Sequence, residues 1–201
     1  MTTEGIDNPA AYWGELWTSG RRYTRLSAPE TALLSQYAGP GRERLALDIG
    51  CGDGALTRHL AGLGYQATGL DCTPAAPALT ERSTGPVRYH CADIEAQQPP
   101  PLPQRAHALI TTRLVYAFIK DKPAFLSRIR GLLAPGGLFW VVTPMARSLP
   151  PNHASIGITG EDEELLTSPW AMVRATDVGI LRCYALRDGG GDDAGKETRG
   201  H

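Results

Sequence analysis

Asp48, Asp53 and Asp71 are carboxylates set around three alternate glycines, Gly50, Gly52 and Gly54, a spacing suited to holding a nucleoside. Before the glycines, Leu45, Ala46, Leu47 and Ile49 make a short apolar run of the kind that forms a strand buried on both faces. Glycine has no β-carbon, so the chain can turn sharply there and a ligand can lie against bare backbone at a helix N-terminus. From Ala55 a helical pattern follows, with Leu56, Leu60 and Leu63 on one stripe and Gly64 as its C-cap. Gln66 to Leu70 forms the next strand and Asp71 ends it. Asp71 lies roughly 20 residues beyond the turn, the separation at which a carboxylate meets both ribose hydroxyls in a nucleotide-binding βαβ unit.

Gly50-x-Gly52-x-x-Ala55 also satisfies a relaxed dinucleotide fingerprint, and charge decides between the two readings. Asp48 and Asp53 border the place where a pyrophosphate would rest. Two like charges about 4 Å apart repel by about 4 kcal/mol at an effective dielectric near 20. A ligand with a cationic end reverses that sign, and S-adenosylmethionine, with an ammonium, a sulfonium and an adenosine, fits. The rival, an NAD(P)-dependent reductase, would need both carboxylates turned away and a Tyr/Lys hydride-transfer pair that the sequence does not offer.

On these residues the chain resembles the class I S-adenosylmethionine-dependent methyltransferases, from about Leu45 to Thr143. Asp48 to Gly54 is similar to the family's first motif, Asp71 to its ribose acid, and Cys91-Ala92-Asp93-Ile94 to the segment beside the adenine. The resemblance implies an α/β, Rossmann-like three-layer sandwich around a mostly parallel seven-stranded sheet with an antiparallel last strand. It implies that Asp48 helps hold the methionine ammonium through water, and that Gly50, Cys51, Gly52 and Gly54 line methionine and ribose. Asp71 would take the ribose hydroxyls, Cys72 the adenine face, and Asp93 with the Ile94 amide the adenine edge. Thr111, Thr112, Arg113 and Tyr116 follow the fourth strand, where the family positions its acceptor; Thr112 is also assigned to the cofactor. S-adenosylhomocysteine would be the product. A non-catalytic S-adenosylmethionine-binding module is the remaining alternative.

The surrounding elements agree. Ala106 to Thr112 suits a central strand, and Asp121 can cap a helix carrying Phe125, Leu126, Ile129, Leu132 and Leu133. Ala134-Pro-Gly-Gly137 should break that helix and turn into a buried strand, Leu138 to Val142. Thr159 to Leu166 reads as a short helix with acids in its first turn, and Trp170 to Ala175 and Ile180 to Arg187 as two strands. Residues 1–40 read as N-terminal helices, started at Asn8-Pro9 and by a capping box at Ser27-Ala-Pro-Glu30. Their aromatics, Tyr12, Trp13, Trp17 and Tyr23, either pack on the sheet or close as a lid, Tyr12 and Trp13 facing the ligand. Residues 41–187 form the cofactor-binding domain, and residues 188–201, mostly glycine and charge, are expected to be disordered.

A chain of 201 residues that is 42% hydrophobic and 20% charged is one domain's worth of ordinary globular protein. No run approaches the roughly 18 apolar residues of a membrane span, and the start lacks a signal peptide's pattern, so a cytoplasmic protein without a membrane partner is expected. The four cysteines, at 51, 72, 91 and 183, have neither disulfide nor zinc spacing and read as reduced thiols; no metal is expected. A formal charge of −1 does not suit a phosphate-gripping protein, and the strand-four segment departs from the Asn/Asp-Pro-Pro-Tyr/Phe signature of base methylation, so no nucleic-acid partner is expected. Arg21, Arg22 and Arg25 are either a solvated cluster or a grip for an acidic group. Oligomeric state is not legible.

Gln97 to Gln104 is too rich in proline for a helix and should be an extended loop. Thr143 to His153 leaves the fifth strand at the edge where open α/β sheets bind ligands, which makes it a substrate loop. Candidates for a direct role in the reaction are His153 in that loop, Arg113 and Tyr116 after strand four, and Tyr12. A base is optional, because orientation alone can supply much of a methyl transfer. The expected activity is methylation of a small molecule at oxygen, nitrogen or carbon, in specialised metabolism.

Overall fold

In the computed structural model, which describes residues 8–20, 25–80, 85–97 and 102–189, the strands form one seven-stranded sheet. They are β1 (Leu45–Ile49), β2 (Gln66–Asp71), β3 (Val87–Cys91), β4 (His107–Arg113), β5 (Leu133–Pro144), β6 (Met172–Val178) and β7 (Leu181–Arg187), in the order β3-β2-β1-β4-β5-β7-β6. β7 runs antiparallel to both its neighbours, and the other pairings are parallel. The chain winds outward from β1 to β3 and then crosses to β4, so the strand order reverses between β1 and β4. A crevice opens beyond the carboxyl ends of the strands at such a point.

Alternation along the strands divides the core into two layers. Ala46, Leu109, Trp140 and Val142 pack with Leu34 of α2 (Ala28–Ala38) and with Leu56 and Leu60 of α3 (Ala55–Gly62). Leu47, Ile110, Phe139 and Val141 pack on the opposite face with Phe125 and Ile129 of α4 (Lys122–Leu132) and Leu166 of α5 (Gly160–Thr167). The Rossmann-like sandwich is as expected. α1 (Pro9–Thr18) precedes these layers, and Asn8 caps it by accepting from the Ala11 amide at 3.1 Å.

Several local expectations hold. The Asp121 carboxylate accepts from the Ala124 amide at 2.9 Å, and α5 forms with Glu161, Asp162 and Glu163 in its first turn, to which a reciprocal capping box of Thr159 with Asp162 is added. Others are corrected. Ser27 accepts from the Glu30 amide at 3.4 Å, but the Glu30 carboxylate goes to Arg113, so only half of the expected box forms. β5 starts at Leu133, directly after α4, because Leu133 pairs with His107 and Leu138 with Leu109, and Ala134–Gly137 bulges from the strand between them. A β-carbon on Gly137 would lie 2.9 Å from the Ala134 and His107 carbonyl oxygens, so only glycine fits there. β6 begins at Met172, and Trp170 instead packs on Phe139 with ring centroids 5.7 Å apart.

Arg21, Arg22, Tyr23, Gln98 with the prolines at 99–101, and residues 190–201 lie outside the described residues, and with them half of the expected Gln97–Gln104 loop and most of the tail. Asp188 is described, and it pairs with Arg130 at 3.0 Å. Among the described residues no helix is long and apolar enough to cross a membrane, and no cluster of histidine, cysteine or acidic side chains is arranged to hold a metal.

Candidate active site

The crevice at the β1/β4 switch is a cavity of about 230 Å³. The glycine loop forms one end of it. Gly50, Gly52 and Gly54 have φ of 71°, 54° and 74°, the left-handed region that glycine enters without strain. A β-carbon on Gly50 would collide with Val115, and one on Gly52 would lie 2.9 Å from the Trp17 ring. These two glycines keep the backbone bare between β4's exit and α1. Gly54 does not line the cavity; its β-carbon would meet the Tyr89 hydroxyl at 2.6 Å, so its role is to let α3 start.

Asp48 is buried at the end of β1, facing the α2/α3 layer, and accepts from Thr57 Oγ1 at 2.6 Å and Thr111 Oγ1 at 2.8 Å. Burial pushes its carboxyl up to about 6 against the pull of those hydroxyls. Asp71 ends β2 and binds one backbone amide on each oxygen, Gly52 N to Oδ2 and Thr73 N to Oδ1, both at 3.0 Å. Burial again raises its pKa, opposed by those two amides. Asp53 sits in the loop, with Oδ1 accepting from Ala55 N at 3.0 Å. Burial and the neighbouring carboxylates raise the Cys51 thiol, and Cys72 is pushed up to about 12, so both stay protonated and neither acts as a nucleophile.

The rest of the cavity is lined by apolar side chains and two arginines, of which Arg113 is near enough to Asp48 to draw its pKa down. Tyr12, Trp13 and Trp17 of α1 cover it, Leu149 and Ile156 reach it from the segment after β5, and Ile180 and Leu181 from the β6–β7 turn. Arg25 and Arg113 also line it. Arg113 is fixed by Glu30, a carboxylate only 2% exposed, through Nε at 2.6 Å and Nη2 at 3.2 Å.

A cradle of bare glycine backbone beside three carboxylates fits S-adenosylmethionine, whose ammonium and sulfonium need negative charge and whose ribose needs a paired acceptor. A sequence model described as a methyltransferase domain matches residues 20–184. The chain belongs to this methyltransferase family. It is 35% identical over 105 residues to an uncharacterized methyltransferase of Mycobacterium bovis, covering 51% of this chain and 52% of that one. It is 30% identical over 130 residues to a trans-aconitate 2-methyltransferase of Methylobacterium radiotolerans, covering 64% and 46%. The chain thus spans about half the length of the curated relatives it matches. In fold it is similar to an S-adenosylmethionine-dependent methyltransferase of Mesorhizobium loti, with a TM-score of 0.64 and 17% identity over 80% of this chain and 98% of that one.

The family's cofactor is S-adenosylmethionine, as the resemblance implied. Of the residues assigned to it from sequence, Asp48, Gly50, Cys51, Gly52, Asp71 and Cys72 line the cavity. Asp93 and Ile94 stand outside it, beyond the end of β3, where the Ala92 amide bonds the Asp71 carbonyl at 2.8 Å. The Asp93 carboxylate accepts from Glu95 N at 2.8 Å, and the Ile94 carbonyl accepts from Arg128. Thr112 is fully buried on the far face of β4, and its hydroxyl has no partner among the described residues.

Of the residues considered for a direct role, Arg113 and Tyr12 reach the cavity and two do not. Tyr116 is fully buried against Phe125, ring centroids 6.2 Å apart, with Lys122 Nζ 5.7 Å from its ring. His153 is exposed on the turn Pro151–Ile156 and does not line the cavity. Sequence reasoning missed Thr57, Thr111 as Asp48's partner, Glu30, and the hairpin residues Ile180 and Leu181. Thr111 shared Arg113's strand parity, which was the one available signal.

Proposed function

We propose that the protein transfers a methyl group from S-adenosylmethionine to a small-molecule acceptor. One observation carries this reading: a single cavity lined by Asp48, Asp53 and Asp71 around bare backbone and by apolar and arginine side chains. The acids suit the cofactor's ammonium and sulfonium and would repel a dinucleotide's pyrophosphate. Asp48 would face the ammonium, and Asp71 would offer the ribose hydroxyls the lone pairs left over by its two amides. The Gly50–Gly52 backbone would lie along the methionine, Cys72 beside the adenine, and Asp93 with the Ile94 amide at the adenine's outer edge. When bound, the cofactor supplies an electrophilic methyl carbon: the acceptor's lone pair forms the new bond, the carbon–sulfur bond breaks with its pair going to sulfur, and neutral S-adenosylhomocysteine leaves.

The chain's own contribution is to hold and orient, an effect that can amount to about 7–11 kcal/mol. No histidine or lysine lines the cavity among the described residues, and a methyl transfer can proceed by orientation alone when the acceptor's lone pair is free. The trans-aconitate enzyme among the relatives is named for a small-molecule acceptor, which supports the same class. About 230 Å³ is less than the roughly 300–1,000 Å³ of ligand pockets, which supports α1 as a cover that shifts when ligands enter. Four free thiols suit the reducing cytoplasm, and a net charge of −1 favours no nucleic-acid partner.

Calorimetry with S-adenosylmethionine, S-adenosylhomocysteine and NAD tests the cofactor, and methyl-labelled S-adenosylmethionine with a small-metabolite panel tests transfer. The first two ligands should bind, NAD should be silent, and label should move to an acceptor. NAD binding with S-adenosylmethionine silent would overturn the reading, and binding without transfer would leave a non-catalytic module.

A further inference from the structure

We infer that Glu95 and Arg128 are positioning residues for the adenine: together they clamp the turn at residues 93–96 onto α4 and so set the spacing of the donor and acceptor that read the base. This rests on the methyltransferase reading above and on its placement of Asp93 and the Ile94 amide at the adenine's edge. The turn closes on itself, the Ala96 amide donating to the Asp93 carbonyl at 3.2 Å and the Glu95 amide to Asp93 Oδ1 at 2.8 Å. Two of its groups are left over. Asp93 Oδ2, an acceptor, and the Ile94 amide, a donor, have no hydrogen-bond partner among the described residues. Adenine offers the complementary pair along one edge, an amino donor beside a ring-nitrogen acceptor.

Toward β2 the turn is approached by one backbone bond, from the Ala92 amide to the Asp71 carbonyl at 2.8 Å. Its far side is held by α4 and the residues just before that helix. Arg128 donates through Nη1 to the Ile94 carbonyl and through Nη2 to the Ala96 carbonyl, the latter at 3.1 Å. Glu95 Oε1 accepts from the Lys120 and Asp121 amides, both at 3.0 Å. The two side chains carry opposite charges, yet each is spent on backbone groups, and a charge-assisted bond to backbone fixes the chain itself. A guanidinium fork is rigid, so one that bonds two carbonyls of the same turn fixes the turn's orientation as well as its distance from the helix. The Ile94 side chain, 6% exposed, belongs to the core layer on the α4 face and anchors the turn from below. Reading a base by one donor and one acceptor requires both within about 0.5 Å of their places, and the clamp supplies that placement before the cofactor arrives.

The test is calorimetry with S-adenosylhomocysteine and with S-inosylhomocysteine, in which a carbonyl replaces the amino group and the neighbouring ring nitrogen carries a proton, so that both hydrogen bonds are mismatched. The unsubstituted chain should prefer the adenine compound by at least about 100-fold. Arg128→Ala should cut that preference about tenfold, weakening S-adenosylhomocysteine while S-inosylhomocysteine changes by less than about threefold. Glu95→Ala should cut it by about three- to tenfold, and Glu95→Gln, which keeps an acceptor oxygen for the two amides, should restore it. A tie that serves only the fold would lower both affinities by one factor and leave their ratio unmoved, and that result overturns the inference. If Arg128→Ala does not fold, the ratio in Glu95→Ala and Glu95→Gln decides. An unsubstituted chain that binds both compounds alike would take Asp93 and Ile94 away from the adenine and the inference with them, whereas no binding of S-adenosylhomocysteine at all would mean that the methyltransferase reading itself has failed.

Discussion

Between Asp48 and Cys72 the chain builds the glycine-loop end of the cavity from one continuous strand–loop–helix–strand unit, whereas the rest of the lining is collected from residues 12–17, 25–26, 113–118, 144–156 and 180–181. At the first end the ties are short in sequence: Asp71 holds the loop through the Gly52 amide, 19 residues away, and Asp48 holds α3 through Thr57, nine residues away. At the second, the buried Glu30–Arg113 tie spans 83 residues. A binding site made within one unit keeps its geometry when loops elsewhere change. One assembled from distant loops can be re-lined without disturbing the first, and on the proposed function that is where acceptor specificity would lie.

The largest effect is expected where that long tie is cut. Arg113→Ala leaves the Glu30 carboxylate buried and unpaired and should cost about 3–5 kcal/mol of stability, read from the denaturant midpoint. Glu30→Gln/Arg113→Gln should recover most of it, and an unmoved midpoint in Arg113→Ala would mean that Glu30 reaches water. Asp48 tests the cofactor end. Burial raises its carboxyl from 3.8 to about 6, so the native chain binds that proton more tightly than the unfolded chain. Stability without ligand should therefore fall as pH rises from about 4 to about 6, by about 3 kcal/mol, and level off above. Asp71, also raised by burial, acts in the same sense. Asp48→Asn should flatten the slope, and in the unsubstituted chain S-adenosylmethionine affinity should drop as pH falls through about 6, because the cation needs the ionised form. A slope of opposite sign would mean that the hydroxyl bonds outweigh burial.

Asp71→Ala should weaken S-adenosylhomocysteine by about 1.5–3 kcal/mol in calorimetry, through the lost ribose contacts and the released Gly52 amide. Unchanged affinity would remove Asp71 from the site. The smallest change is expected at His153, where substitution by alanine should leave stability within about 0.5 kcal/mol and kcat/KM unaltered. A tenfold fall in kcat/KM would bring that exposed turn back into the chemistry and blur the contrast between the two ends.

The glycine loop and its acids were legible because their signals are local. Glycines at alternate positions, an acid at each strand end and a leucine stripe all lie within one βαβ stretch. Thr111 and Thr112 mark where legibility stopped. Strand parity puts neighbours on opposite faces, so one hydroxyl reaches Asp48 and the other is sealed in the core, and the register Asp48↔Thr111 that decides which is which depends on a strand 63 residues away. Glu30 misled for a similar reason: its position matched a capping box, but a carboxylate beside a guanidinium gains more from an ion pair than from one exposed backbone amide. Tyr116 and His153 were of the right types for chemistry, and only packing separated them from the cavity.

By itself the sequence determined the element order, the glycine turn with its three carboxylates, and hence the sign of the charge that the cofactor end offers, because each depends on neighbours within a few residues or one βαβ unit. Only the tertiary structure decided that Glu30 reaches Arg113, that α1 lays Trp17 over Gly52, and that the β6–β7 turn contributes to the cavity's lining. Those contacts join segments far apart in the chain, and they form where burial of apolar surface and pairing of buried charge bring the layers together.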